Sequence, residues 1–303
     1  MSEVCVIGAS CMDILCQNAD ERVFKDGHQH CDGIQMGYGG DGLNEAISLS
    51  ALGKKVKLIT RLGEDTAGKS IFEECRKRGI EIDEACLDKD VHTYIAVVLV
   101  DKKGQRNLLG TDSGSLRELS LKDISLPLSE EIKVVSFASL FISHKLSLED
   151  IRCLFAELKK EGKIIVCDTT SPKQEEGVEE LKEILPLIDY FVPNEKEAKM
   201  IAKKDSLEEA AEVFYFNGVR NVLIKAGEKG CYIRNREIRG YIEAEQVEKV
   251  VDTTGAGDAF TAGLISGLLD GKEIRECARM ANHIGARAIQ VSGATSWTGG
   301  IDE

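Results

Sequence analysis

The sequence predicts an α/β fold in which helices cover both faces of a mostly parallel sheet. Three observations point to this class. Short, almost continuously apolar runs alternate with amphipathic helical patterns along most of the chain. Glycine is plentiful (29 residues) and proline is scarce (4), which suits short turns between strands and helices. The length of 303 residues, with 43% hydrophobic side chains, allows one large core or two smaller ones.

The individual elements follow from the apolar runs and from the residues that bound them. Ser147 and Gly162 are a typical first cap and closing residue for one helical pattern, and Gly53 closes another. Runs rich in β-branched residues between turn signals mark the strands. We expect strands at 4–9, 56–60, 134–140, 163–168, 190–194 and 221–227, and helices at 43–53, 68–80 and 147–162.

Two segments interrupt this alternation. Residues 92–101 and 105–110 flank a short KKG turn and read as a β-hairpin, and residues from about 12 to 36 lack a helical period. Strands that leave an α/β alternation favour a small sheet at one edge. Such a sheet serves as a lid over a site or as a dimerisation surface.

Composition and charge exclude several classes of function. A net charge of −13 and the absence of a clustered basic run argue against a nucleic-acid partner. The acidic residue near the N-terminus and the shortness of every apolar run argue against a signal peptide and against a membrane span. Ten cysteines without a C-x-x-C pair predict reduced, structural thiols in a cytoplasmic protein. We interpret the HQHC run at 28–31 as a polar loop.

The most informative run is VDTTGAGDAF, at 251–260. Gly255, Ala256 and Gly257 leave backbone N–H groups unobstructed at the start of a predicted helix, where those groups and the helix dipole favour an anion. Asp258 lies in the same turn, and we expect its carboxylate to stay ionised there. A carboxylate beside a phosphate cradle is placed to accept a proton from an attacking hydroxyl. Taken alone, the run also fits an ordinary helix cap after a glycine turn.

Two other glycine patterns match nucleotide-binding signatures. Residues 63–70 (GEDTAGKS) fit the P-loop pattern G-x-x-x-x-G-K-[ST]. We interpret them as a tight turn into a helix, because Glu64 and Asp65 would lie against the phosphates. Residues 37–42 fit G-x-G-x-x-G, but no clean buried strand precedes them, as a dinucleotide site requires. A P-loop NTPase that uses residues 63–70 remains an alternative.

The run DTTGAGDAF resembles the C-terminal signature of the PfkB carbohydrate kinases, the ribokinase-like family. The resemblance extends over nearly the whole chain. GGDGLNEA at 39–46 with Leu52-Gly53 is similar to the N-terminal signature of the family, NEKE at 194–197 to its N-x-x-E motif, and KAGEKG at 225–230 to its nucleotide-contacting turn. Residues 9–13 match its sugar-binding segment, and Gly63, Asp65 and Gly68 its G-x-D-x-x-G element. GGDGLNEA, RNLLGTDSGSL and FASLF are most similar to a subgroup of bacterial sugar kinases.

The resemblance implies one ribokinase-like domain over residues 1–303, a three-layer α/β/α fold with a small β-sheet lid from about 12–36 and 90–112. It implies an ATP- and Mg²⁺-dependent kinase, with Asp258 as the base and Gly255, Ala256 and Gly257 as the anion hole. Lid closure, and a homodimer formed through the lid, would come with it. The implied sugar-binding residues are Asp13, Gly39, Gly40, Asp41, Asn44 and Arg106. The implied nucleotide-binding residues are Asn194, Lys225, Gly227, Gly230, Thr254, Asn282 and Ala286. Asn194 and Glu197 would organise Mg²⁺ through water, and Asp252 and Thr254 would mark a site for a monovalent cation such as K⁺.

Some points stay open at this stage. Many family members carry Asp-x-Asn after the strand at 163–168, whereas this chain has Asp168-Thr169-Thr170, so no contact is carried over to residue 170. Asn194 and Glu197 also fit a simple helix cap. Asp13 and Asp41 favour a neutral polyol over a phosphorylated sugar, because like charges repel. A sugar acid fits if Arg106 faces inward. A nucleoside kinase and a non-catalytic sensor of the same fold are the remaining alternatives.

Overall fold

The computed structural model describes residues 1–102, 106–173 and 176–300. The strands of this part are β1 (Val4–Ile7), β2 (Cys11–Gln17), β3 (Gly33–Gly39), β4 (Val56–Ile59), β5 (Leu62–Gly63), β6 (Glu81–Ile82), β7 (Leu87–Asp88), β8 (Ile95–Val100), β9 (Arg106–Leu109), β10 (Val134–Leu140), β11 (Ile164–Thr169), β12 (Tyr190–Phe191), β13 (Asn221–Lys225), β14 (Cys231–Arg234) and β15 (Arg239–Ile242). The α-helices are α1 (Arg22–Lys25), α2 (Asp41–Ala51), α3 (Thr66–Lys77), α4 (Leu148–Lys160), α5 (Val178–Leu181), α6 (Glu195–Ala202), α7 (Leu207–Phe216), α8 (Ala256–Leu269) and α9 (Ile274–Ala288).

Nine of the described strands form the central sheet, in the order β6-β4-β1-β10-β11-β12-β13-β14-β15. The pairs from β6 to β13 are parallel, and the β13-β14 and β14-β15 pairs are antiparallel. The strand order reverses at β1, because β4 pairs on one side of it and β10 on the other. In open α/β sheets, ligands bind outside the carboxyl ends of the strands at such a reversal.

Two apolar cores lie on opposite faces of this sheet. One core packs α4, α6 and α7 against it, with Phe155, Ile201 and Phe214 fully buried. The other packs α2, α3, α8 and α9, with Leu43 and Ile265 fully buried. The result is a three-layer α/β/α arrangement, as predicted.

A second, four-stranded sheet has the order β3-β2-β8-β9, and we call it the lid sheet. Its strands come from the two segments that broke the predicted alternation, and β8 and β9 form the expected hairpin. The segment between β2 and β3 also holds the short helix α1. The backbone of Arg106 pairs with Val100, but the side chain of Arg106 lies outside the described part of the chain.

The expected strand at 190–194 is shorter than predicted. The regular strand covers only Tyr190 and Phe191, and an isolated bridge joins Asn194 to Lys225, because Pro193 has no N–H to donate to a ladder and Asn194 already caps α6. Within the described residues, no helix combines the length and the apolar character that a membrane span needs. Eight of the ten cysteines are buried, and all ten are free thiols.

Candidate active site

A cleft of about 1120 Å³ opens at the carboxyl ends of the central strands. Ala138 and Ser139 of β10, Asp168 of β11 and Lys225 of β13 form its floor, where the reversal in strand order predicts a ligand site. The predicted site residues that line it are Asp41, Asn194, Glu197, Lys225, Gly227, Gly230, Ala256, Gly257, Asp258, Asn282 and Ala286.

The N-terminus of α8 faces this cleft without side chains in front of it. Gly255 precedes the helix with φ of 73°, and a Cβ there would lie 2.6 Å from the Cβ of Ala294, so only glycine fits. A Cβ on Gly257 would lie 3.3 Å from Nζ of Lys225. The N–H of Ala256 donates to the carbonyl of Thr253 at 3.3 Å, and the N–H groups that follow it in the first turn lie beside the Lys225 ammonium, an arrangement that suits an anion.

Asp258 lies in this first turn and forms a hydrogen bond to α2. Nδ2 of Asn44 donates to its Oδ2 at 2.8 Å. Burial, together with the nearby Asp41 and Asp168, raises the pKa of Asp258 to about 7, although Asn44 and Lys225 act in the opposite direction. A pKa of about 7 means that this carboxyl is only partly ionised near neutral pH, whereas the sequence predicts a carboxylate that stays ionised. Desolvation beside like charges is the cause of the raised pKa.

Asp168, Lys225 and Thr261 form a buried polar group beside α8. The Lys225 ammonium and Asp168 Oδ2 are ion-paired, and Thr261 Oγ1 donates to the same oxygen at 3.1 Å. The backbone N–H of Thr169 donates to Asp168 Oδ1 at 2.8 Å. Burial favours the neutral amine, but Asp168 outweighs it and raises the pKa of Lys225, so the ammonium stays charged.

Two further carboxyl groups lie close by, at the start of α2. Asp41 accepts hydrogen bonds from the backbone N–H of Ala9 at 2.9 Å and of Gly42 at 2.6 Å. Glu45 is fully buried, and Ser136 Oγ donates to its Oε2 at 2.5 Å, while its Oε1 has no partner among the described residues. Burial raises the pKa of Glu45 well above its usual range. Nothing in the local sequence pattern predicts that Glu45 is buried in the core.

The N-x-x-E motif caps α6. The backbone N–H of Glu197 donates to Asn194 Oδ1 at 2.9 Å, and the N–H of Asn194 donates to Glu197 Oε2 at 3.0 Å. The simple cap that the sequence allowed is therefore present. Both side chains also line the cleft, so the cap leaves the second oxygen of Glu197 next to it. Burial and Asp168 raise the pKa of Glu197.

The remaining predicted nucleotide residues form the far end of the cleft. Gly227 and Gly230 have φ of 59° and 86° and bound the turn between β13 and β14. Asn282 Nδ2 donates to the carbonyls of Ile242 at 3.0 Å and Glu243 at 2.9 Å, so its amide holds the end of β15. Ala286 lies one turn further along α9 and also lines the cleft.

The predicted sugar-side residues lie where the lid sheet meets α2. A Cβ on Gly39 would clash with the carboxylate of Asp13, so the glycine makes room for that side chain. Gly40 has φ of 92°, and a Cβ on it would lie 2.6 Å from the carbonyl oxygen of Ala9. Tight glycine contacts therefore bring Asp13 and Asp41 to the same end of the protein.

The predicted cation segment at 252–254 is tied into its own backbone. Asp252 Oδ1 accepts from the N–H of Thr254 at 2.8 Å, and Oδ2 accepts from the N–H of Gly293 at 2.8 Å. Neither Asp252 nor Thr254, nor Gly255, is among the residues that line the cleft. In the described part of the chain, histidine, cysteine and carboxylate side chains form no cluster of three or more suited to a metal ion, and this holds for the HQHC run.

The P-loop-like residues 63–70 form a closed turn. Asp65 caps α3 by accepting from the N–H of Gly68 at 2.8 Å, and its second oxygen accepts from the N–H of Thr93 at 2.8 Å. A Cβ on Gly68 would clash with the carbonyl oxygen of Gly63. The space that a P-loop keeps for phosphate is filled here by Asp65.

The sequence missed the Asp168–Lys225–Thr261 group and treated residue 170 only as a departure from the family pattern. Thr170 does line the cleft, and its Oγ1 donates to the carbonyl of Leu140 at 3.1 Å. The available signal was the position of Asp168 at the carboxyl end of a buried strand.

Comparison with known proteins assigns this fold and this cleft to a class of phosphotransferases. A family model described as "pfkB family carbohydrate kinase" matches residues 1–298. The chain therefore belongs to the pfkB family of carbohydrate kinases, which transfer a phosphoryl group to an alcohol.

Individual relatives agree with this assignment. A protein of Archaeoglobus fulgidus named "Uncharacterized sugar kinase" is 30% identical over 82% of this chain and 96% of its own length. The crystal structure of ribokinase from Thermotoga maritima is 26% identical, has a TM-score of 0.82, and covers 98% of this chain and 96% of its own. The Arabidopsis thaliana ribokinase complexed with ribose and ATP is 23% identical, has a TM-score of 0.77, covers 99% of this chain and 98% of its own, and so supports the fold.

Proposed function

We propose that this protein transfers the γ-phosphoryl group of ATP to a hydroxyl of a monosaccharide or sugar acid, with Asp258 as the catalytic base. The observation that carries this proposal is the position of Asp258 in the first turn of α8, facing the cleft beside an open helix N-terminus. A pKa of about 7 suits a group that must take up and release a proton near neutral pH.

The residues divide the chemistry among them. Asp258 takes the proton from the acceptor hydroxyl. The oxygen of that hydroxyl bonds to the γ-phosphorus of ATP, and the bond between the γ-phosphorus and the β–γ bridging oxygen breaks, which releases ADP. The N–H groups at Gly255, Ala256 and Gly257 receive the charge on the transferring phosphoryl group. Lys225, held by Asp168, adds a positive charge at the same place.

The residues present fit ATP and Mg²⁺. The glycine turn at 227–230 leaves backbone free for a nucleotide, and Asn282 and Ala286 bound the far end of the cleft. Asp168 and Glu197 supply carboxylate oxygens, the ligands Mg²⁺ prefers, and Asn194 holds Glu197 in place. Mg²⁺, when bound, neutralises negative charge on the phosphates. A monovalent cation near Asp252 and Thr254 stays a prediction, for which backbone carbonyls would have to supply the ligands.

The acceptor would be held at the lid end of the cleft. Asp13, Asp41 and Asn44 offer carboxylate and amide groups for vicinal hydroxyls, next to Gly39 and Gly40. Arg106 lies in β9 of the lid sheet and is the predicted contact for a carboxylate or hydroxyl. The second candidate for the acceptor is a nucleoside, whose hydroxyl would give its proton to Asp258 in the same way.

We also propose that two copies associate through the lid sheet. Ile34, Met36, Ile95 and Leu109 are exposed, and the strand register places them on one face of that sheet. An exposed apolar face of this kind on a soluble domain is typical of an interface.

The Asp258→Asn variant tests the role of the base. We expect ADP production to fall about 100-fold or more, because the amide cannot take the proton, while ATP binding persists. The measurement is a coupled ADP-release assay over aldoses, ketoses, sugar acids and nucleosides, with ATP binding followed by calorimetry. Asp205→Asn, at an exposed position, is the matched control.

Two results would overturn parts of this assignment. Near-normal turnover by the Asp258→Asn variant would remove the base. Activity of the native protein on nucleosides alone would replace the sugar by the second candidate, without changing the role of Asp258.

A further inference from the structure

Three basic side chains meet beside the loops that follow β10 and β11, and none of them is among the residues that line the cleft. Arg117 Nη1 lies 3.0 Å from Nε2 of His144, and Nζ of Lys173 lies 3.3 Å from the same nitrogen. We call these three residues the basic cluster. A neutral imidazole nitrogen has a single lone pair, so it cannot accept fully from both donors. The cluster therefore has more donors than acceptors.

The described residues do not supply the missing acceptors. None of their carboxylates makes an ion pair with a member of the cluster. Glu118 instead pairs with Lys145 at 3.8 Å, and Glu176 accepts from the backbone N–H of Lys173 at 2.9 Å. Nε of Arg117 is buried and has no hydrogen-bond partner in this part of the chain.

The charges of the cluster oppose one another. Burial, followed by Lys173 and Arg117, lowers the pKa of His144, against the weaker influence of Glu118 and Asp112. Burial and Arg117 likewise lower the pKa of Lys173. Like charges in contact cost free energy, and a negative group among them would recover it.

The cluster lies close to the floor of the cleft. Lys173 follows β11 and donates to the carbonyl of Ile142 at 3.3 Å, in the loop after β10. That loop is joined to β11 through Thr170, which lines the cleft and donates to the carbonyl of Leu140. Phe141, between them, has φ of 74°, an uncommon conformation for a bulky residue that holds the loop in this position.

A chain of hydrogen bonds links the same cluster to the predicted sugar residues. The N–H of Met12, next to Asp13, donates to the carbonyl of Tyr94 at 3.0 Å. The N–H of Tyr94 donates to Ser115 Oγ at 3.1 Å, two residues before Arg117. The N–H of His144 donates to the carbonyl of Arg117 at 3.0 Å. These bonds join the segment that holds Arg117 to the lid strands β2 and β8.

We infer that Arg117, His144 and Lys173 bind an oxyanion, a carboxylate or phosphate group, at the acceptor end of the cleft. The guanidinium of Arg117 and the ammonium of Lys173 form strong, charge-assisted hydrogen bonds to such groups. The anion is either part of the acceptor sugar, in which case this inference rests on the proposed kinase function, or free phosphate. Lys173 and Arg117 supply positive charge, which the predicted sugar-binding carboxylates Asp13 and Asp41 do not.

Binding is tested directly with inorganic phosphate at constant ionic strength. The chain has five histidines, so the imidazole signals of His144 are assignable in NMR spectra with a His144→Gln variant. We expect phosphate to shift these signals in the native protein and in Lys145→Met. In Lys173→Met and Arg117→Met the apparent affinity should fall about tenfold or more. Lys145 is the matched control, because it adjoins His144 but pairs with Glu118.

Kinetics with ribose, gluconate and fructose 6-phosphate identify the source of the anion. An acceptor-borne anion predicts that Lys173→Met raises KM for gluconate or fructose 6-phosphate about tenfold or more, with a smaller change in kcat and none for ribose. Free phosphate predicts unchanged KM values together with the NMR shift. Thermal melts check that each variant folds.

The inference fails if two results occur together. The first is that phosphate does not shift the His144 signals, or shifts them equally in the native protein and in Lys173→Met. The second is that Lys173→Met and Lys145→Met have the same kinetics on every acceptor. The NMR readout needs no turnover. A protein that binds phosphate but releases no ADP would therefore refute the kinase proposal and leave the cluster standing, whereas an active enzyme without either effect would refute the cluster alone.

Discussion

The carboxyl of Asp258 is subject to two opposing influences. The helix N-terminus and the amide of Asn44 favour its charged form, whereas burial and the carboxyls of Asp41 and Asp168 favour the neutral form. Burial is the largest of these, and the pKa rises to about 7. In the free protein, charging Asp258 therefore costs stability, and a substrate that brings a hydroxyl or a cation to it would reduce that cost.

This cost predicts a pH-dependent stability difference for Asp258→Asn. The unfolded chain gives up the Asp258 proton near pH 3.8, but the folded chain holds it to about 7. As pH rises between these values, the native protein loses stability that the asparagine variant retains. We expect the free energy of unfolding of the variant to gain on that of the native protein from pH 4 to pH 8, by up to about 4 kcal/mol.

Chemical denaturation at a series of pH values measures this difference. Asp205→Asn is again the control, and its curve should run parallel to that of the native protein. Parallel curves for Asp258→Asn as well would mean that Asp258 titrates as an ordinary surface carboxyl, and would contradict the buried environment described here.

The structure at the start of α3 decides the role of residues 63–70, which their sequence pattern alone leaves open. Residues 63–70 match the P-loop pattern, but the two carboxylate oxygens of Asp65 accept hydrogen bonds from the N–H groups of Gly68 and Thr93. Lys69 points outward, 58% exposed, and lies 3.7 Å from Glu64. The turn connects α3 to the segment before β8, which is a structural role.

Two substitutions separate this role from that of a P-loop. Asp65→Ala removes the helix cap and the contact to Thr93, and should lower the free energy of unfolding by about 1–3 kcal/mol. Lys69→Ala should leave turnover within about twofold of the native value, since it alters a surface side chain. Thermal melts and the ADP-release assay measure both. Loss of activity in Lys69→Ala with unchanged stability would restore the P-loop alternative.

The same elements show what the sequence could predict. The class of fold and most elements came from local periodicity, and the open start of α8 came from glycines adjacent in the chain. The ion pair of Asp168 with Lys225 joins residues 57 apart in the sequence. The raised pKa of Asp258 depends on carboxyl groups of α2 and β11 that pack near α8. Such features depend on tertiary contacts, so no local pattern announces them. The basic cluster comes from three separate segments of the chain, so no local pattern predicts it either.

At the scale of the whole molecule, the two faces of the lid sheet differ. Met36, Ile14, Val97 and Leu109 lie in one row across the sheet by strand register. Side chains alternate between faces along a strand, so Asp13, next to Ile14, points to the opposite face. One face therefore carries the predicted sugar contact together with Leu108, which is 63% exposed, and the other carries Met36 and Leu109, which are 70% and 52% exposed.

A homodimer through the apolar face predicts a specific effect of Met36→Lys. A lysine at the centre of a packed interface would have to be buried without a partner, so association should weaken by 100-fold or more, on the order of 3 kcal/mol. Sedimentation velocity over a range of concentrations measures this. Phe216→Lys is the matched control, because Phe216 is 77% exposed at the end of α7, far along the chain from the lid strands. A native protein that sediments as a single chain, or a Met36→Lys variant that dimerises as tightly as Phe216→Lys, would contradict the lid interface.

If the interface exists, closure of the lid over one site alters the surface that contacts the partner. Met36→Lys should then also raise KM for the acceptor while leaving ATP affinity unchanged.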